Sequence, residues 1–156
     1  MINLQRRPAE LAVPSVTPAH RPPRDRAFQP RLILLFTRDR AFDELLAEAL
    51  LGRSAIVLIT RTVPDALAIV CQRGRELDLA VLDFDDGCHG MTLLSAVHTC
   101  YEHLPMLITA ARDEQHVHEV AYANGARACL DKPFPRETLS NVIETLSGSQ
   151  RQQIAA

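Results

Sequence analysis

Apolar and polar positions follow one another in a regular order from Arg31 to Leu146. Short, continuous apolar runs predict five strands, at 32–36, 54–60, 79–84, 106–109 and 126–130. An amphipathic stretch follows each run, and these stretches predict five helices, at 42–51, 65–73, 92–103, 114–123 and 136–146. The pattern is therefore a strand and a helix repeated five times.

The predicted strands are apolar throughout instead of alternating between apolar and polar residues. Strands of this kind must be covered on both faces, which predicts a doubly wound α/β fold with helices on both sides of a parallel sheet. Right-handed connections bring the C-terminal ends of such strands to one edge of the sheet. We therefore expect a functional site at that edge.

The first 30 residues differ in composition from the rest of the chain. They hold six of the ten prolines, which block both helix and sheet. They also hold five arginines against two acidic residues, a net charge of +3, whereas the remainder of the chain carries −5. We expect a disordered Pro/Arg-rich N-terminal tail over 1–30, one domain over 31–147 and a short polar C-terminal tail over 148–156.

The overall composition disfavours several classes of protein. A net charge of −2 and the lack of tryptophan argue against direct binding of nucleic acid. No uninterrupted apolar stretch approaches the ~18 residues of a transmembrane helix, so we expect no membrane insertion. The four cysteines form no CxxC pair, which favours free thiols in a reducing cytoplasm and predicts a cytoplasmic protein.

Side chains with useful chemistry fall at the ends of three predicted strands. Asp83 lies at the end of the third strand, Thr109 ends the fourth, and Lys132 follows the fifth. We expect the sheet to bring this carboxylate, hydroxyl and ammonium group together. The combination suits the capture of a phosphoryl group, with Asp83 as the nucleophile and with Thr109 and Lys132 binding the phosphoryl oxygens.

Three sequence motifs carry a resemblance to a known family. They are DLAVLDF around Asp83, LITA containing Thr109, and GARACLDKPF containing Lys132. With the order of strands and helices, these motifs resemble the CheY-like receiver domain of two-component response regulators, from about Arg31 to Leu146. The resemblance implies a flavodoxin-like fold with strand order 2-1-3-4-5.

The resemblance also implies roles for individual residues. Asp83 would be the phospho-acceptor, Thr109 the switch hydroxyl, and Lys132 the lysine that contacts the phosphoryl group. The peptide bond between Lys132 and Pro133 would be cis. The only catalysis expected of such a domain is its own aspartyl phosphorylation and dephosphorylation.

A receiver of this kind functions in phosphorelay signal transduction. The implied partners are a sensor histidine kinase or a phosphotransfer protein as the donor, and a downstream protein that receives the signal. After Leu146 the sequence leaves room for a short polar tail only. We therefore expect a single-domain, stand-alone response regulator that acts through contacts with other proteins.

The first strand departs from the pattern of the family. Similar receivers carry two acidic residues after this strand, which help to bind Mg²⁺, and Thr37 and Arg38 occupy those positions here. Because Mg²⁺ requires near-octahedral oxygen ligation, we expect only weak binding through Asp83, with Asp85 as a further candidate ligand. Arg38 is either a solvated residue or a guanidinium folded over Asp83 in place of the metal.

A second departure lies on the fifth strand. The resemblance places the switch aromatic of the family three positions before Lys132, and this position is Cys129. A tyrosine or phenylalanine that changes its rotamer at this position is therefore lacking. The chain resembles an atypical receiver.

Two other functions are compatible with the sequence. One is a pseudo-receiver, an interaction module that is not phosphorylated and is held in one conformation by Arg38, Asp83 and Lys132. The other is a flavodoxin-like cofactor carrier, which needs a phosphate-binding loop after the first strand. The sequence there, TRDRAF, contains no glycine and disfavours this second alternative.

Overall fold

A five-stranded parallel sheet with strand order β2-β1-β3-β4-β5 forms the centre of the molecule. The computed structural model describes residues 29–84, 88–112 and 115–154, apart from the side chains of 88, 89, 115 and 149–154. The strands are Arg31–Phe36 (β1), Ala55–Thr60 (β2), Leu79–Asp83 (β3), Met106–Ala111 (β4) and Ala128–Lys132 (β5). All neighbouring strands pair in parallel, which confirms the predicted fold class and strand order.

Within this described part of the chain, five helices connect or follow the strands. They are Arg40–Ala49 (α1), Val63–Arg73 (α2), Cys88–Cys100 (α3), Gln115–Ala123 (α4) and Arg136–Ile154 (α5). A short 3₁₀ turn, Gly74–Glu76, follows α2. None of the helices within the described residues is long and apolar enough to cross a membrane.

The side chains of β1 show why the strands are apolar throughout. Leu32, Leu34 and Phe36 belong to one buried cluster, which also contains apolar residues of α2, α3 and α4. Ile33 and Leu35 belong to a second buried cluster with apolar residues of α1 and α5. Because successive side chains point to opposite faces of a strand, each face of β1 needs an apolar set of its own.

The helix α1 begins where the sequence supplies a cap and a buried face. The Asp39 carboxylate accepts a hydrogen bond from the backbone N–H of Ala41, which satisfies one of the free donors of the first turn. Phe42, Leu46 and Ala49 then lie at helical spacing and are buried. This cap fixes the start of α1 directly beside the end of β1.

The predicted start of α3 and the predicted end of α5 differ most from the structure. The helix α3 begins at Cys88 instead of position 92. Gly90 lies in its first turn, where a Cβ atom would come 2.0 Å from the ring of Phe84, so this glycine allows close packing of helix on strand. The helix α5 continues to Ile154, and Ser147 within it is buried and donates its hydroxyl to the carbonyl of Ile143.

The greater length of α5 corrects the prediction of a C-terminal tail. The polar residues predicted as a tail over 148–156 form helix as far as Ile154. The N-terminal tail predicted over 1–30 lies outside the described residues, except for its last two positions.

Candidate functional site

Asp83 and Thr109 lie side by side at the C-terminal edge of the sheet. They are register partners, Asp83 as the last residue of β3 and Thr109 two residues before the end of β4, and both are buried. The Thr109 hydroxyl donates a hydrogen bond to Asp83 Oδ1 at 3.1 Å. The pairing of two adjacent strands thus places a hydroxyl donor on the carboxylate.

Lys132 reaches the same carboxylate from β5. Its Nζ lies 2.7 Å from Asp83 Oδ1. The Asp83 side chain is only 1% exposed, whereas that of Lys132 is 20% exposed, so solvent reaches the ammonium group more readily than the carboxylate. The predicted convergence of Asp83, Thr109 and Lys132 is therefore confirmed, and the peptide bond between Lys132 and Pro133 is cis, as expected.

Thr37 provides a contact that the sequence interpretation missed. Its hydroxyl lies 2.6 Å from Asp83 Oδ2, and the Asp39 backbone N–H donates to the same hydroxyl at 3.0 Å. An ionised carboxylate only accepts hydrogen bonds, so the Thr37 hydroxyl is the donor to Asp83. The sequence marked Thr37 only as a lost metal ligand. The signal that it faces Asp83 is its place at the end of β1, which pairs with β3.

The other residues after β1 have different positions. Arg38 is exposed, and the hypothesis that its guanidinium folds over Asp83 stays a prediction. The Asp39 carboxylate caps α1 through Ala41. Asp85, the further candidate metal ligand, lies outside the described residues.

A second set of contacts fixes the backbone of Thr37. Arg61, which follows β2, donates to the Thr37 carbonyl at 3.0 Å and forms an ion pair with Asp43 of α1. The hydrogen bond with Asp43 raises the pKa of Arg61 above its ordinary value, so the guanidinium stays charged. Thr37 is therefore held through its side chain and its carbonyl group.

Phe42 lies beside the ammonium end of Lys132 and packs against a second phenylalanine, Phe134. The Lys132 Nζ lies 5.1 Å from the centre of the Phe42 ring, within the range of a cation–π contact. The Phe42 and Phe134 rings meet edge to face at 6.1 Å between centroids. The first turn of α1 is thus packed against the Asp83–Lys132 ion pair.

The described residues do not fit a Mg²⁺ ion. Magnesium requires a near-octahedral set of oxygen ligands, whereas Asp83 is contacted by a hydroxyl donor on Oδ2 and by an ammonium group on Oδ1. Within 29–84, 88–112 and 115–154, no three His, Cys, Asp or Glu side chains form a group that could hold a metal ion. Thr37 and Lys132 each donate to an oxygen of Asp83 that a cation would need as a ligand.

A separate polar contact area joins α4 to β5. The Tyr122 hydroxyl interacts with the Cys129 thiol, and His118 Nε2 lies 2.9 Å from Asp131 Oδ1. Burial raises the pKa of Cys129 above its ordinary value, whereas the hydrogen bond with Tyr122 acts in the opposite direction. The resemblance assigns the position of the switch aromatic to Cys129, and the aromatic side chain beside Cys129 comes from α4.

The comparison with known families agrees with this architecture. Residues 33–144 match the model of the response regulator receiver domain. No curated protein matches the chain at a significant level.

Solved receiver domains share the fold. A CheY-like response regulator receiver domain protein from Methanospirillum hungatei is 20% identical, with a TM-score of 0.70 over 80% of this chain and 99% of its own. A response regulator receiver domain protein from Clostridium thermocellum is also 20% identical, with a TM-score of 0.69 over 79% of this chain and 98% of its own. The signal receiver domain of an HD domain-containing protein from Pseudomonas fluorescens is 19% identical, with a TM-score of 0.72 over 81% of this chain and 93% of its own. At these identities the similarity concerns the fold alone.

Proposed function

The chain belongs to the family of response regulator receiver domains, and from that premise we propose that Asp83 accepts a phosphoryl group in two-component signalling. The observation that carries the proposal is the convergence of Lys132 and Thr109 on one oxygen of Asp83, at 2.7 and 3.1 Å. A cationic and a neutral donor on the same side of a carboxylate are placed to bind the oxygens of an incoming phosphoryl group.

The transfer is a displacement at phosphorus. Asp83 Oδ1 attacks the phosphorus atom of a phosphoramidate donor such as phosphohistidine, and the new O–P bond forms as the P–N bond breaks. The nitrogen leaves with the electron pair of that bond and takes up a proton from solvent. The product is an acyl phosphate, whose negative charge Lys132 and Thr109 stabilise.

The expected partners follow from the family. Receiver domains take their phosphoryl group from a histidine kinase or a phosphotransfer protein, and we expect the same class of donor here. We further propose that the modified domain signals through a downstream protein partner. Mg²⁺ would assist the transfer only weakly, because the described groups around Asp83 do not supply the oxygen ligands that the ion requires.

The experiment is intact-mass analysis after incubation with a small phosphoramidate over a range of Mg²⁺ concentrations. The wild-type chain is expected to gain one phosphate, whereas Asp83→Asn gains none. Asp131→Asn is a matched control, since it removes a carboxylate at the end of β5 without touching Asp83, and it should be modified as the wild type is. A wild-type chain that stays unmodified at every Mg²⁺ concentration would overturn the proposal. It would favour the alternative function, an interaction module that is not phosphorylated.

A further inference from the structure

The hydrogen bonds of Thr37 have a fixed direction. Its hydroxyl oxygen accepts from the Asp39 N–H at 3.0 Å, and its single proton therefore points to Asp83 Oδ2 at 2.6 Å. Thr37 is fully buried and Asp83 nearly so, which keeps water away from this contact. A short hydrogen bond from a hydroxyl to a buried carboxylate belongs to the strong, charge-assisted class.

The two oxygens of Asp83 have different neighbours. Lys132 and Thr109 contact Oδ1, and Thr37 contacts Oδ2. These donors come from β5, from β4 and from the residue after β1, so together they fix the rotation of the carboxylate plane. An oriented nucleophile needs less reorganisation when the phosphoryl donor arrives.

Thr37 also connects Asp83 to the start of α1 by two routes. Its hydroxyl accepts the N–H of Asp39, the residue that caps the helix. Its carbonyl accepts from Arg61, which pairs with Asp43 in the first turn. A change at Oδ2 therefore reaches the first turn of α1 through hydrogen bonds alone.

We propose that Thr37 is a positioning residue, whose hydroxyl orients Asp83 through Oδ2 without a metal ion and couples the phosphorylation of Asp83 to the first turn of α1. The inference rests on the proposed function. When the phosphoryl group joins Oδ1, Oδ2 becomes a neutral carbonyl oxygen, which is a weaker acceptor than a carboxylate. The hydrogen bond from Thr37 weakens, and the environment of the Asp39 amide changes with it.

The kinetic test compares Thr37→Val, which has a similar shape but no hydroxyl, with Thr37→Ser, which keeps the hydroxyl. Rates of phosphate incorporation from a small phosphoramidate are measured by intact mass. Thr37→Val is expected to be slower by roughly ten- to a hundred-fold, and Thr37→Ser to stay within about three-fold of the wild type. Added Mg²⁺ is not expected to restore the rate of Thr37→Val.

Thr99→Val is the control for the loss of a threonine hydroxyl. Thr99 is exposed on α3 and donates to the carbonyl of Ser95, away from Asp83, so its substitution should leave the rate unchanged. If Thr37→Val is modified as fast as Thr99→Val, Thr37 does not position Asp83. A wild-type chain that takes up no phosphate overturns the proposed function itself, so the two failures are distinguishable.

A second measurement uses the wild-type chain and does not depend on the folding of any variant. The amide resonance of Asp39 is followed by NMR before and after phosphorylation. We expect a clear shift of this resonance, whereas amides at the opposite end of α1 should shift much less. An Asp39 amide that does not respond to phosphorylation overturns the coupling to α1.

Discussion

Lys132 Nζ lies 2.7 Å from Asp83 Oδ1, although β4 separates their strands in the sheet. Two strand spacings amount to about 10 Å, so the lysine needs its extended stem to span β4 and reach the carboxylate. The ion pair compensates the burial of Asp83, whose side chain is 1% exposed. It also places the positive charge where a phosphoryl group would be bound.

Removal of this ammonium group is expected to destabilise the fold. Lys132→Met leaves a buried carboxylate without its counter-charge, which should lower the free energy of unfolding by about 3 kcal/mol. Urea denaturation measures the change. Arg73→Met, which removes an exposed ion pair with Glu76, should cost less than about 1 kcal/mol. Equal losses in the two variants would mean that the buried pair contributes no more than a surface pair.

The cap of α1 gives a second prediction. Asp39→Ala removes the acceptor of the Ala41 N–H and should lower the free energy of unfolding by about 1 kcal/mol. Asp39→Asn keeps an oxygen acceptor and should cost only a few tenths of a kcal/mol. Thermal unfolding of the two variants distinguishes the loss of the cap from the loss of the charge, and an asparagine variant as unstable as alanine would assign the effect to charge.

The third prediction concerns the reactivity of Cys129. Burial raises the pKa of its thiol, so at a given pH less of it is in the reactive thiolate form. Exposed Cys71 and Cys100 should therefore be alkylated first by iodoacetamide, and the rate at Cys129 should rise only when the pH exceeds the ordinary range of a thiol. Peptide mapping at several pH values measures each site. Equal rates at Cys129 and Cys71 would contradict the effect of burial.

Restoring the missing carboxylates should create a metal site. In the double variant Thr37→Asp, Arg38→Asp, a new carboxylate lies close to Asp83 Oδ2 and repels it when no cation is present. We expect a lower melting temperature than that of the wild type, and an increase of several degrees on addition of Mg²⁺. The wild-type chain is the control and should respond little. A double variant that does not respond to Mg²⁺ would contradict the assignment of 37 and 38 to the metal-binding positions.

The fold was predictable because strands that are buried on both faces consist of apolar residues throughout. The five apolar runs correspond to β1 through β5 in the observed order along the chain. The start of α3 and the end of α5 were predicted wrongly, because the apolar spacing that predicts a helix does not extend to either boundary. Gly90 packs against Phe84 of the sheet edge, which is a tertiary contact, whereas Ser147 is buried and bonds within its own helix.

The chemical groups of the site were also predictable in part. Asp83, Thr109 and Lys132 follow from their places at strand ends, since parallel strands end at one edge of the sheet. The contact of Tyr122 with Cys129 was not predictable, because it depends on how α4 packs against β5.

The sequence by itself determined the parallel α/β fold and the three groups that meet at its C-terminal edge, because apolar runs and the residues that follow them are local properties of the chain. Only the tertiary structure decided the role of Thr37. In the sequence this residue stands where a carboxylate is lacking. In the folded chain β1 pairs with β3, and this pairing places the Thr37 hydroxyl 2.6 Å from Asp83 as a buried hydrogen-bond donor.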